Sequence, residues 1–193
     1  MTNSIAEIED ADCIFVTGSN TTSSHPLIAT RIFRALEKGA KLVVADPRKI
    51  QLALKADVYA RQNLGTDVAL LNGIMHVILK NNWHDQKFVE ERCEGFEEFK
   101  AVIDNYPPEK AAEITGVSAD DIAKIAEYYA KADAATIVYC MGITQHTSGV
   151  DNVKSLANLA MLTGNMGKES TGVNPLRGQN NVQGACDMGG LPN

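Results

Sequence analysis

The chain has 193 residues, 45% of them apolar and 22% charged, enough for one globular domain with a sizeable buried core and too few for two full ones. Its 18 Lys and Arg against 24 Asp and Glu leave a formal charge of −6. No segment concentrates that charge, which argues against a nucleic-acid surface or an anionic-membrane surface.

The N-terminus is acidic where a leader would be basic and then apolar, and no run approaches the ~20 apolar residues of a membrane span. A soluble, cytoplasmic chain is expected, although an export signal further upstream would change the compartment. The first β-branched run, residues 13–16, is short and continuous, as in a strand buried on both faces of a parallel sheet. Thr21, Thr22, Ser23 and Ser24 follow as N-cap candidates with Pro26 in the first helical turn, and Ala29, Ile32, Phe33 and Leu36 give an apolar face that closes at Gly39.

A second run lies at 42–45 and a weaker one at 57–60. A helix opens at Thr66 and Asp67 and carries Val68, Leu71, Met75 and Ile78 on one side. The next opens at Ser118, with Asp121 as its capping acid, and carries Ile122, Ile125, Ala126 and Tyr129. A third clear strand run spans 136–140. The last helix starts near Gly149, turns Val150, Val153, Leu156 and Ala160 inward and stops at Gly164. Strands alternating with helices specify a doubly wound α/β fold, mostly parallel, with helices on both faces: a Rossmann-like dinucleotide-binding domain over residues 1–176. Residues 177–193 show no periodicity and are expected to form an irregular tail that packs against a further domain.

The four cysteines, Cys13, Cys93, Cys140 and Cys186, form no Cys-x-x-Cys pair, which speaks against an iron–sulfur or zinc centre here. Cys13 and Cys140 fall inside apolar runs and read as core. The four histidines share no metal-ligand spacing and read as surface or cap residues. Tyr128 and Tyr129 read as core.

Ligands of an open α/β sheet bind outside the carboxyl ends of its strands, and three loops fall there. The stretch from Thr17 and Gly18 through Asn20 to Ser24 opens a helix, whose free N–H groups suit a pyrophosphate; simple capping is the other reading. Asp46-Pro47-Arg48 ends the second strand, where an acid would accept a ribose diol and Arg48 would meet phosphate; an ordinary turn is the other reading. Gly65-Thr66-Asp67 opens a helix, and its carboxylate is either a capping group or a match for the two adjacent N–H donors of guanine. G-x-G-x-x-G and G-x-x-x-x-G-K-[ST] are both missing, so nicotinamide and triphosphate readings lose their main support.

Val43-Val44-Ala45-Asp46-Pro47-Arg48, Leu64-Gly65-Thr66-Asp67-Val68-Ala69-Leu70-Leu71-Asn72 and Leu159-Ala160-Met161-Leu162-Thr163-Gly164-Asn165-Met166-Gly167, in that order, resemble the molybdopterin oxidoreductase superfamily over nearly the whole chain. The tail from Gly172 to Gly189 is similar to the catalytic subunit of formate dehydrogenases. The resemblance implies a molybdenum or tungsten ion held by two molybdopterin guanine dinucleotides, one of them lying across this domain. It matches Gly18, Asn20, Ser23 and Ser24 to the pyrophosphate and ribose, with Ser23 standing where this group often has an acid. Asp46, Pro47 and Arg48 match the nucleoside pocket, Gly65 and Asp67 the guanine loop, and Met141, Gly142 and Gln145 further dinucleotide contacts. Arg177 matches the active-site arginine beside the metal, with Gly178 and Gln179 leading toward the pterin; a fixed guanidinium would orient formate, a small anion.

The resemblance further implies that the family's 4Fe-4S cluster segment, metal-ligating cysteine or selenocysteine and cap domain lie outside these residues. The chain is then an internal piece of a formate dehydrogenase, inactive alone, whose partners are the remaining domains of its parent subunit, electron-transfer subunits and formate. The competing readings are a nitrate reductase of the same cofactor class and a stand-alone nucleotide-binding module.

Overall fold

The computed structural model describes residues 1–190; the last three residues of the expected tail, 191–193, lie outside the described residues. A 3-10 turn, Ile5–Asp10, precedes β1 (Cys13–Thr17), α1 (Thr21–Ser24), α2 (Pro26–Glu37) and β2 (Lys41–Ala45). A second 3-10 turn, Gln51–Leu54, leads to β3 (Val58–Ala60). The helices α3 (Asp67–Lys80), α4 (Gln86–Arg92), α5 (Phe96–Ile103), α6 (Pro108–Thr115) and α7 (Ala119–Lys131) come before β4 (Ala135–Tyr139). Then follow α8 (Met141–Thr144), α9 (Gly149–Leu162), β5 (Gly172–Pro175) and α10 (Val182–Asp187).

Among the described residues the strands form one parallel sheet in the order β3-β2-β1-β4-β5, the doubly wound α/β architecture expected. The order reverses between β1 and β4, which places the topological switch point at their carboxyl ends. Strand alternation divides the core in two. Cys13, Phe15, Val43, Ala45 and Ile137 face a layer containing Leu70 and Ile74 of α3, Ile122 and Tyr129 of α7, and Leu156 of α9. Ile14, Val16, Leu42, Val44 and Val138 face Ile28, Ile32 and Ala35 of α2, with Ile8 and Leu52 from the two 3-10 turns. Burial on both faces explains why these strands read as unbroken apolar runs. Burial pushes the Cys13 thiol up to about 12, with Asp57 and Asp12 adding to the effect, so it is an inert core residue.

Four local expectations are corrected. Thr21 to Ser24 do not cap the long helix; they form a turn of their own, and α2 takes His25 at its N-cap position and opens on Pro26. Val150 does not point inward; it is 68% exposed, while Asn152 and Ser155 are buried. A fifth strand, Gly172–Pro175, runs beside β4 and was not among the expected runs. The tail is not wholly irregular, because Val182–Asp187 is helical.

The N-terminal turn is tied to the far edge of the sheet. Glu7 accepts from Asn3 Nδ2 at 2.8 Å, from the Ser170 amide at 2.9 Å and from the Ser4 amide at 3.0 Å. These bonds, Asn3 foremost, hold its carboxyl down from 4.5 to about 2. A depressed folded-state value contributes stability that is present above the unfolded value and lost as pH falls through the folded one. The denaturant midpoint of Glu7→Gln is therefore expected to lie below that of the wild type at pH 6, the gap closing by about pH 2; a gap independent of pH would contradict the account.

Candidate functional site at the strand tips

β1, β2, β3 and β4 deliver their following loops to one crevice of about 210 Å³, lined by Gly18, Asp46, Pro47, Arg48, Gln62, Asn63, Leu64, Gly65, Asp67, Gly142 and His146. Seven of these, Gly18, Asp46, Pro47, Arg48, Gly65, Asp67 and Gly142, are positions that the sequence singled out. A neighbouring hollow of about 150 Å³ contains Met141, Arg177, Gly178 and Gln179 with Tyr139, Cys140, Leu176 and Val182. The consecutive residues Met141 and Gly142 join the two. Asn20, Ser23, Ser24 and Gln145 follow the same strands but line neither hollow.

The crevice floor is set by a close backbone approach. The Gly142 amide donates to the Gly18 carbonyl at 3.0 Å. A Cβ on Gly142 would stand 2.6 Å from Gly18 Cα, and one on Gly18 would stand 2.7 Å from the Gly142 carbonyl carbon. Gly18 also has φ +57°, so both sterics and backbone conformation call for glycine there.

Asp46 is 3% exposed. Its Oδ1 accepts from the Arg48 amide at 2.8 Å, and Arg48 Nε stands 3.7 Å from the same oxygen. The guanidinium is largely in solvent and the pair is a weak one, so Arg48 is free to turn toward an anion. Asp67 is not the capping group of α3. Thr66 takes the N-cap position, while Asp67, 6% exposed, accepts from Gln62 Nε2 at 3.1 Å. Among the described residues Gln62 Oε1 is buried without a partner, which leaves an acceptor unused beside the bond to Asp67. Leu64, 79% exposed, forms an apolar lip beside Gly65.

The loop after β1 departs from expectation in detail. Asn20 makes no side-chain cap bond; instead its carbonyl accepts from the amides of Ser23 and Ser24 at 3.0 and 3.1 Å and from Ser24 Oγ at 2.9 Å. Those two amides are thus occupied, and an anion here would meet hydroxyls and side-chain amides. Gln145 Nε2 lies 3.6 Å from Met141 Sδ. Arg177 lies two residues beyond the end of β5, so the unexpected strand is what brings it to the same sheet edge; its Nη2 donates to Gln183 Oε1 at 3.0 Å. Burial pushes the Tyr139 phenol up, offset in part by Arg177, so it is protonated at neutral pH.

Sequence reasoning missed Gln62, Asn63 and His146. Gln62 carried a usable signal, since it lies two residues beyond β3 and hence at the carboxyl edge. His146 carried none: it enters through the turn after α8, where its Nε2 meets the Gly142 carbonyl at 2.9 Å.

The chain matches the Molybdopterin oxidoreductase family over residues 1–192. It is 58% identical over 193 residues to the F420-dependent formate dehydrogenase 1 subunit alpha of Methanococcus maripaludis. It is 58% identical over 193 residues to the F420-dependent formate dehydrogenase subunit alpha of Methanocaldococcus jannaschii, and 51% over 192 residues to formate dehydrogenase H of Escherichia coli. The matches cover 100% of this chain and 29%, 29% and 27% of those proteins, so the chain spans less than a third of the relatives it matches. Among solved structures, acetylene hydratase from Pelobacter acetylenicus superposes with a TM-score of 0.76 at 29% identity, over 83% of this chain and 24% of that one.

Proposed function

The chain belongs to the molybdopterin oxidoreductase family, and from that premise we propose that its strand-tip crevice holds the guanosine diphosphate half of a molybdopterin guanine dinucleotide, within a larger enzyme that oxidises formate to carbon dioxide. The observation that carries this reading is the convergence of Gly18, Asp46, Arg48, Gly65, Asp67 and Gly142 on one crevice. The relatives named as formate dehydrogenase subunits support the reaction.

The residues fit the group. Asp67 offers carboxylate oxygens for the paired N–H donors of guanine, and the unpartnered Gln62 Oε1 offers one more acceptor beside them. Adenine presents no such row of donors. Asp46 stands at the tip of β2, where a ribose diol is held, and Arg48 would supply charge-assisted bonds to phosphate. The two glycines let the loops after β1 and β4 close into the floor on which a pyrophosphate would lie, while Asn20, Ser23, Ser24 and Gln145 would contact it from the rim. Met141, Gly178 and Gln179 would lie along the pterin side.

When bound, the cofactor and its molybdenum or tungsten supply the two-electron chemistry. This domain contributes orientation and charge. Arg177 would hold formate by a paired, charge-assisted contact, with its carboxylate oxygens on the guanidinium fork. The 4Fe-4S cluster and the electron-transfer subunits belong to the rest of the enzyme in this reading.

The test is a melting curve of the chain with GDP or ADP. At GDP a hundredfold above its dissociation constant, linkage gives about 2.7 kcal/mol, a Tm rise of roughly 5–10 °C for a domain of this size; ADP is expected to give markedly less. Asp67→Asn is expected to remove the preference, because its amide N–H₂ would oppose a guanine donor. An unchanged Tm at millimolar GDP would contradict the reading.

A further inference from the structure

We propose that His25 is a positioning residue that ties the Arg177 loop to the loop after β1, an inference that rests on the reading of Arg177 given above. The backbone of His25 is fixed from both sides. Its amide donates to the Thr21 carbonyl at 2.8 Å, ending α1, and its carbonyl accepts from the Ile28 and Ala29 amides at 3.0 Å, opening α2. Pro26 then restricts it further. From this rigid junction the imidazole reaches across 152 positions of sequence, and Nε2 stands 2.7 Å from the Arg177 carbonyl oxygen.

A carbonyl only accepts, so Nε2 carries the proton and donates. Among the described residues Nδ1 is buried without a partner. The ring therefore sacrifices half its hydrogen-bonding capacity to make one bond, and that bond falls on the residue argued to hold the substrate. An apolar ring of the same size would fill the space without stranding a polar atom.

At the other end, the segment leaving β5 is pinned in steps. The Leu176 amide donates to the Tyr139 carbonyl at 2.8 Å, and Cys140 Sγ donates to the Leu176 carbonyl at 2.9 Å. The His25 bond ties the backbone of residue 177, whose side chain meets Gln183. Beyond it comes Gly178, whose backbone offers little stiffness. Without His25, residue 177 would pivot about Leu176 and the guanidinium would lose its fixed origin. His25 also follows Ser23 and Ser24 directly, so one strut sets both the phosphate loop and the substrate arginine.

The test uses the full-length catalytic subunit with His25→Phe, His25→Gln and Arg177→Ala, read by KM and kcat for formate and by hydrogen exchange of the amides of residues 177–181. His25→Phe is expected to raise KM roughly tenfold, as small misplacements do, and to speed exchange in that segment. His25→Gln, whose amide nitrogen stands near the Nε2 position, is expected to restore both. A merely structural role would lower the active fraction and kcat and leave KM alone. If His25→Phe will not fold, His25→Asn, polar but too short to span the gap, replaces it under the same criteria. Unchanged KM and exchange in the variant lacking the donor, with Arg177→Ala impaired, would overturn this inference alone. A wild-type KM in Arg177→Ala would overturn the reading of Arg177, and with it any need for a strut.

Discussion

Replacing Arg177 with alanine in the full-length catalytic subunit is expected to lower kcat/KM for formate by roughly 10²–10⁴ while the cofactor stays bound. The magnitude follows from two hydrogen bonds to a charged group at about 1.5–3 kcal/mol each, together about 3–6 kcal/mol. Cofactor content is expected to hold because the hollow proposed for the guanine end is a separate one, on the other side of Met141 and Gly142. Arg177→Lys keeps the charge and loses the planar fork, so it is expected to recover only part of the loss. Steady-state kinetics normalised to metal content measure this directly. Equal loss of metal and activity would show instead that Arg177 supports the fold of its loop.

The second large effect lies in the crevice floor. Gly142→Ala would place a methyl group 2.6 Å from both Cα and the carbonyl oxygen of Gly18. Both are backbone atoms at the mouth of the central strands, so relief requires the loops after β1 and β4 to part. Overpacking of this kind costs about 1–3 kcal/mol, or a Tm lower by roughly 2–12 °C in a domain of this size. GDP affinity is expected to fall by at least tenfold, on the order of 1.4 kcal/mol, because the methyl displaces Gly18, which lines the crevice. Gly178→Ala is the contrast: its Cβ would meet Met141 Cε at 3.3 Å, the free end of a flexible side chain, and a small change in Tm is expected. Equal melting behaviour of the two variants would mean that the Gly18–Gly142 contact does not shape the site.

The legibility of the fold tracks how local its causes are. β1, β2 and β4 are buried on both faces, and that burial writes itself into the sequence as runs of Val, Ile and Ala. β5 was hidden because Gly172, Asn174 and Pro175 are poor strand formers. It exists through its neighbour, with Asn174 Nδ2 bonded to Thr136 Oγ1 at 2.8 Å. Ser118 caps α7 as the pattern predicts, accepting from the Asp121 amide at 3.1 Å, whereas the Asp121 carboxylate accepts from the Ser118 hydroxyl at 2.7 Å and not from its backbone amide as a capping-box acid would. Thr21 to Ser24 show the limit of the same rule, since four capping residues in a row specify a tight turn as readily as a start.

The candidate site followed the same division. Asp46 and Gly65 were legible because a strand end or a turn announces each, and the sheet topology then joins them. Asp67 was legible as a position but not in its surroundings: the default for an acid at a helix start is capping, whereas the fold places its carboxylate in the crevice lining, bonded to Gln62. Arg177 reaches the edge through a strand that local propensity does not predict. His25 was visible as a cap position, yet its contact with the Arg177 carbonyl depends on the whole sheet being assembled.

The most direct measurement is an experimental structure of the full-length catalytic subunit loaded with its cofactor. The account predicts the guanine edge within hydrogen-bond distance of the Asp67 carboxylate, the ribose at Asp46 and the Arg177 guanidinium facing the metal. Guanosine lodged on another face of the domain, with the hollow between Asp46 and Asp67 filled by protein, would contradict it.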